Sequence, residues 1–95
     1  MMFKRKRAPV SALREVCISN KLGLHARPAA QFVKHVRTFR SEIWLVTADG
    51  RYSASSLIEV LRANLDCGAM ATLEAHGVDA DEALEDLEKL LAEFH

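Results

Sequence analysis

His25 and Arg27 stand two positions apart in the segment Gly23-Leu24-His25-Ala26-Arg27-Pro28-Ala29. Together they can do chemistry that neither does alone. An imidazole is the side chain best suited to act as a nucleophile near neutral pH, because much of it is unprotonated there. A guanidinium presents a planar fork of donors that matches the oxygens of a phosphoryl group. Pro28 adds a third element, since its fixed φ and missing N–H suit the first turn of a helix, where backbone amides lack partners anyway. His25 is therefore expected at or beside a helix N-cap, next to free amide hydrogens and the positive end of the helix dipole. That setting favours an anion by roughly 0.3–1 kcal/mol per unit charge. The small Ala26, Ala29 and Ala30 leave the helix mouth open to another macromolecule. A histidine at a helix start is usually only a polar cap, and a lone arginine is usually a solvated charge. Their joint occurrence at one helix start is what points to phosphoryl-group chemistry.

These residues need elements to position them. Residues 15–19 alternate as a strand, with Val16 and Ile18 on one face, and Asn20 to Gly23 read as a turn. Residues 26–39 read as a helix whose apolar stripe is Ala29, Phe32, Val33 and Val36. Residues 42–47 are β-rich, and Asp49-Gly50 signals a hairpin into a short strand at 51–54. Ser56 and Glu59 have the spacing of a capping box that opens a short helix to about Asn64. After a turn at Gly68, residues 70–76 form a fourth strand with Ala71, Leu73 and Ala75 on one face. Asp79 to Glu82 look like another capping signature, and Ala83, Leu84, Leu87, Leu90, Leu91 and Phe94 keep helical spacing to the end.

The resulting order is βαββαβα. Three helices cannot cover both faces of four strands, so the expected fold is α+β. It is an open-faced β-sandwich, a four-stranded antiparallel sheet with three helices on one face. Trp44, opposite in phase to Ile43 and Leu45, is placed on the uncovered face.

The 95 residues suffice for one domain with a modest core, so a function on the surface is expected rather than a deep substrate cavity. Thirteen basic and thirteen acidic side chains cancel, which disfavours nucleic acid as a partner. The charge is unevenly spread, however. Residues 1–14 carry Lys4, Arg5, Lys6, Arg7 and Arg14 with no acid and read as a basic extension before a domain at 15–95. Residues 21–62 carry seven basic groups against Glu42, Asp49 and Glu59, so the middle of the chain is electropositive. No apolar run is long enough for membrane insertion. Cys17 and Cys67 lack ligand spacing and read as small fillers in a reducing cytoplasm. His35, His76 and His95 read as surface residues without metal spacing, so neither metal nor other cofactor is expected.

The motif resembles that of a known family. His25-Ala26-Arg27-Pro28-Ala29, preceded by Gly23-Leu24, looks like the active-site motif of HPr, the histidine phosphocarrier of the phosphoenolpyruvate-dependent sugar phosphotransferase system. The resemblance continues through Ala30-Gln31-Phe32-Val33-Lys34, Ser41-Glu42-Ile43, Ser53-Ala54-Ser55-Ser56-Leu57 and Lys89-Leu90-Leu91-Ala92-Glu93, and spans residues 15–95. It implies a monomeric carrier, not an enzyme. Enzyme I would place a phosphoryl group on Nδ1 of His25, Arg27 would stabilise it, and an enzyme IIA domain would receive it.

The resemblance further implies a partner surface made by Ala26, Arg27, Leu57, Ile58 and Leu61, rimmed by Lys34, Arg37 and Arg62. The electropositive middle of the chain suits acidic partners. Ser56 matches the serine modified by HPr kinase/phosphorylase in many family members. Two residues depart from the pattern: Glu59, whose carboxylate would repel a phosphate on Ser56, and Asn64, which stands where Gly is common. Two further readings are a regulatory or nitrogen-branch paralogue of the carrier, and an interaction module controlled through Ser56.

Overall fold

The computed structural model describes residues 10–94. Its elements are β1 (Val10–Cys17), α1 (Ala26–Val36), β2 (Glu42–Thr47), β3 (Gly50–Ser53), α2 (Leu57–Arg62), β4 (Met70–Gly77) and α3 (Ala80–Glu93). All strand pairs are antiparallel, in the sheet order β1-β4-β2-β3. This is the expected open-faced sandwich. The basic side chains Lys4 to Arg7 and His95 lie outside the described residues.

Pairing explains the main difference from the sequence reading. β1 starts at Val10 rather than at residue 15, because Val10 to Arg14 pair with Leu73 to Gly77 of β4. Residues 10–14 are therefore part of the sheet, not of a basic extension. The alternation that marks a half-buried strand is weak there: Leu13 is exposed, and Val10 to Glu15 include no buried side chain. Backbone pairing with β4 along its whole length extends the strand where its own pattern does not. Arg14, inside this segment, meets Glu88 of α3 at 2.7 Å.

The core lies between the sheet and the helices. α1 buries Ala29, Phe32, Val33 and Val36, the stripe expected from its spacing. α3 buries Ala80, Ala83, Leu84, Leu87 and Leu91, while Leu90 and Phe94 are half-buried at its edge. The sheet contributes Val16, Ile43, Leu45, Ala71, Leu73 and Ala75. α1 ends at Val36, and Arg37 to Phe39 continue as a turn: Thr38 donates to the His35 carbonyl and Phe39 to that of Val36.

Trp44 does lie on the uncovered face. The Arg51 guanidinium stacks 3.9 Å from its ring centroid, and Arg51 Nε also donates to Glu74 at 2.9 Å. The hydrogen bond from Arg51 is the main reason that the Glu74 carboxyl sits below its ordinary range. Packing by a long neighbour thus accounts for an indole on the side without helices.

The capping signature at Asp79 has a different purpose from the one its spacing suggests. Its side chain makes no cap bond within α3. Instead it reaches back to the loop before β2, accepting from the Arg40 amide at 2.9 Å and from the Ser41 amide and hydroxyl at 2.9 and 2.5 Å. Led by the Ser41 hydroxyl and the Arg40 amide, these donors hold the Asp79 carboxyl below the usual aspartate value. A depressed carboxylate contributes stability that is present above its unfolded value and lost as pH falls through the folded one. Asp79→Asn should therefore flatten the loss of stability on acidification below about pH 4, where an ordinary aspartate protonates. Urea unfolding midpoints of both proteins from neutral to acid pH measure this. Parallel curves would rule out the assignment.

Candidate functional site

The site begins with a backbone constraint. Gly23 has φ 73° and is packed so tightly that a Cβ would lie 2.5 Å from the Leu65 carbonyl oxygen and 2.8 Å from Asp66 Cα. Only glycine fits that combination of left-handed backbone and close approach. The buried Asn20 side chain donates to the Gly23 carbonyl at 2.6 Å, and the Leu24 amide donates to the Leu65 carbonyl at 2.7 Å. Leu24 is itself 1% exposed. The chain entering α1 is thus locked against the loop that follows α2, and His25 emerges from this clamp.

His25 is the N-cap of α1, with extended backbone and a solvent-exposed ring. Its carbonyl accepts the first intrahelical bond, from the Ala29 amide at 2.9 Å, and its side chain makes no cap bond. Pro28 has no amide hydrogen to offer. Two amides, those of Ala26 and Arg27, therefore have no partner among the described residues at the helix mouth, beside the imidazole. No acidic residue lies within this first turn itself. Arg27 is exposed and has no ion-pair partner among the described residues. His25, the two open amides and Arg27 thus share the first turn of one helix.

The other sequence-derived candidates lie on α1 and α2, which pack together. Ala26 is exposed at the start of α1. Ala30, Val33, Lys34, Arg37 and Leu57 line a shallow depression of about 230 Å³ between the two helices. Leu57, Ile58 and Leu61 are 37%, 70% and 40% exposed, so α2 presents an apolar strip to solvent. Exposed Lys34, Arg37 and Arg62 supply positive charge around it. Arg37 Nε donates to the Ser55 carbonyl at 2.9 Å and so ties the end of α1 to the start of α2.

Ser56 is the N-cap of α2 and accepts from the Glu59 amide at 3.3 Å. The reciprocal half of the capping box is absent. The Glu59 carboxylate accepts from the Ser53 amide at 3.4 Å instead, anchoring β3. Asn64 follows the C-cap Ala63 and has φ 52°. This is the left-handed position past a helix end, which Asn tolerates better than other side-chain-bearing residues. Asn64 thus closes the helix end in the conformation that a glycine would also adopt.

One neighbour of His25 was not singled out from the sequence. Asp66 Oδ1 lies 3.3 Å from His25 Nε2. It sits 41 positions downstream in a loop, and no local pattern announces it; only the closure of the two loops brings it there. His35 pairs with Asp86 of α3 at 3.2 Å, and His76 with Glu74 and with Ser11 at 3.4 and 2.9 Å. Both histidines act in surface contacts. Among the described residues no cluster of three potential metal ligands occurs, and no helix is long and apolar enough to cross a membrane.

An open-faced sandwich that holds an exposed histidine ring at the mouth of its first helix has the form of a group carrier: a protein that displays its cargo to others. The family described as "PTS HPr component phosphorylation site" matches residues 12–93. The chain belongs to this HPr family of phosphocarrier proteins. The phosphocarrier protein HPr of Vibrio cholerae is 41% identical over 83 residues, covering 86% of this chain and 96% of that one. The crystal structure of HPr from Thermoanaerobacter tengcongensis superposes with a TM-score of 0.83 at 34% identity, covering 85% of this chain and 91% of that one. The solution structure of Crh, the Bacillus subtilis catabolite repression HPr, gives 0.66 at 35% identity and covers 88% and 100%.

Gly23→Ala should open the clamp. The left-handed backbone alone costs about 1–2 kcal/mol for a side-chain-bearing residue, and the overlap with Leu65 and Asp66 adds to it. A urea midpoint unchanged from the native protein would contradict this.

Proposed function

We propose that His25 accepts a phosphoryl group from phosphorylated enzyme I and passes it to an enzyme IIA domain in sugar uptake. The observation that carries this reading is the exposed imidazole at the N-cap of α1, beside two amides with no partner among the described residues and with exposed Arg27 in the same first turn. Phosphoryl transfer asks little covalent chemistry of a protein beyond a positioned nucleophile and charge stabilisation. His25 supplies the lone pair, on Nδ1. The Ala26 and Arg27 amides and the Arg27 side chain face the three negative oxygens, and the helix dipole adds to them. Because the group is held at the surface, donor and acceptor can use the same approach in turn, which fits a carrier acting as a single copy.

Ala26, Leu57, Ile58 and Leu61 form the docking centre in this reading, with Lys34, Arg37 and Arg62 as the rim that steers acidic partners. Neither nucleic acid nor membrane takes part, and the cytoplasm is the compartment where such partners would be met. Ser56 is the regulatory component, as a substrate of HPr kinase/phosphorylase. Modification there must first displace the Glu59 amide that its hydroxyl caps. A second reading, a regulatory or nitrogen-branch carrier acting mainly through partner binding, draws on the likeness to Crh. It differs in the enzyme I and acceptor served, so comparing phosphorylation rates with each enzyme I separates the two.

Incubation with enzyme I and phosphoenolpyruvate should add one acid-labile, base-stable phosphate, located on His25 by mass spectrometry and lost in His25→Ala. A native protein that gains none would refute the transfer reading. Arg27→Ala should keep the site but slow transfer about 10- to 100-fold, the equivalent of one charge-assisted hydrogen bond. Single-turnover kinetics read this directly.

A further inference from the structure

We propose that Asp66 is a positioning residue for His25: its carboxylate accepts a hydrogen bond from Nε2–H and thereby leaves the lone pair on Nδ1. The inference rests on His25 being the phosphoryl acceptor, and it assigns the part that fixes which nitrogen reacts.

The geometry has two layers. The side chains meet at an ion-pair distance of 3.3 Å between Nε2 and Oδ1, which a small rotation of the exposed carboxylate turns into a hydrogen bond, and the carboxylate has no other partner among the described residues. Both side chains are more than half exposed, so such a pair adds little to stability. Its placement comes from the backbone on either side. Leu24 and Leu65 are joined by the 2.7 Å amide bond, and Gly23 lies directly against Leu65 and Asp66. The far side of the loop is fixed as well. Ala69 donates to the Asp66 carbonyl at 2.9 Å, Gly68 to Ile18 at 2.6 Å, and Ile18 to Ala69 at 2.9 Å. The carboxylate is thus carried on a loop stitched to the segment that carries the imidazole.

A neutral imidazole has one N–H and one lone pair, and the hydrogen bond made by one nitrogen decides the state of the other. An ionised carboxylate can only accept, so beside Nε2 it selects the tautomer protonated there. In the transfer step the bond from phosphorus to the donor's leaving atom breaks while the Nδ1 lone pair forms the new P–N bond. No proton leaves the ring. Nε2 keeps its hydrogen, and the positive charge that the ring acquires is held by the carboxylate. Delivery to the acceptor reverses each change. Orientation and charge stabilisation of an imidazole by a carboxylate on its other nitrogen is the same division of labour as in hydrolytic triads. The carboxylate would by itself oppose an incoming anion. Arg27 and the two open amides at the helix mouth offset that.

The test uses ¹⁵N-histidine-labelled protein at about pH 8, where a histidine with an ordinary pKa is neutral. Two-bond ¹H–¹⁵N spectra report the His25 tautomer without any transfer reaction. The native protein should hold the proton on Nε2. Asp66→Asn, which can turn an N–H donor toward Nε2, should move the population toward Nδ1–H and slow single-turnover phosphorylation about tenfold or more. Asp66→Glu should restore both in part. Asp66→Ala, at an exposed side chain, provides a second variant should the amide disturb the loop, and it should lose the tautomer bias. Unchanged tautomers in both Asn and Ala variants, or altered tautomers with native transfer rates, would overturn the proposal. An unphosphorylated native protein with an Asp66-dependent tautomer would instead count against the carrier reading alone.

Discussion

The bond from the Leu24 amide to the Leu65 carbonyl, 2.7 Å long, is the constraint on which the site depends. It joins two loops distant in sequence at the point where the chain turns into α1. Gly23 makes the approach sterically feasible, and Asn20, buried and donating to the Gly23 carbonyl, holds the turn from behind. A side chain at position 23 would push the loops apart. The imidazole would then lose the fixed relation to both the open amides and Asp66. A helix start is a local structure, but here its orientation is set by a contact between remote parts of the chain.

The molecule separates what must be rigid from what must be reachable. Phe32, Leu24, Leu45 and Leu73 are essentially inaccessible, and large-to-small changes at such positions typically cost about 2–5 kcal/mol. The side chains of the candidate site contribute little to that core. His25, Arg27 and the α2 strip Leu57, Ile58 and Leu61 all face solvent, while Ala29 and Val60 anchor the same helices from beneath. One face of each helix therefore supports the core and the other is open to solvent. This division lets a small domain afford exposed apolar residues without weakening its interior.

Periodicity made most of the architecture legible. The stripe of α1, the alternation of Ala71, Leu73 and Ala75, and the turn at Asp49-Gly50 are local signals, and the elements they predicted are present. His25 at the N-cap was legible for the same reason, since Pro28 and the alanines mark a helix start. What could not be read depends on distance in the chain. Residues 10–14 are a strand because β4 pairs with them. Asp79 turns from its own helix to the amides of Arg40 and Ser41, and Glu59 to that of Ser53. Asp66 reaches His25 only through loop closure. For Asp79 and Glu59 an acidic side chain at a helix start bonded amides outside its own helix.

The chain has one tryptophan, and it lies on the side of the sheet away from the helices. Trp44 has its ring against Arg51 and its indole nitrogen shielded from solvent. Its emission is therefore a built-in gauge of whether β2 and β3 remain assembled. A protein docking on α1 and α2 would leave that indole in its native surroundings, so fluorescence can follow unfolding in a mixture while staying blind to complex formation.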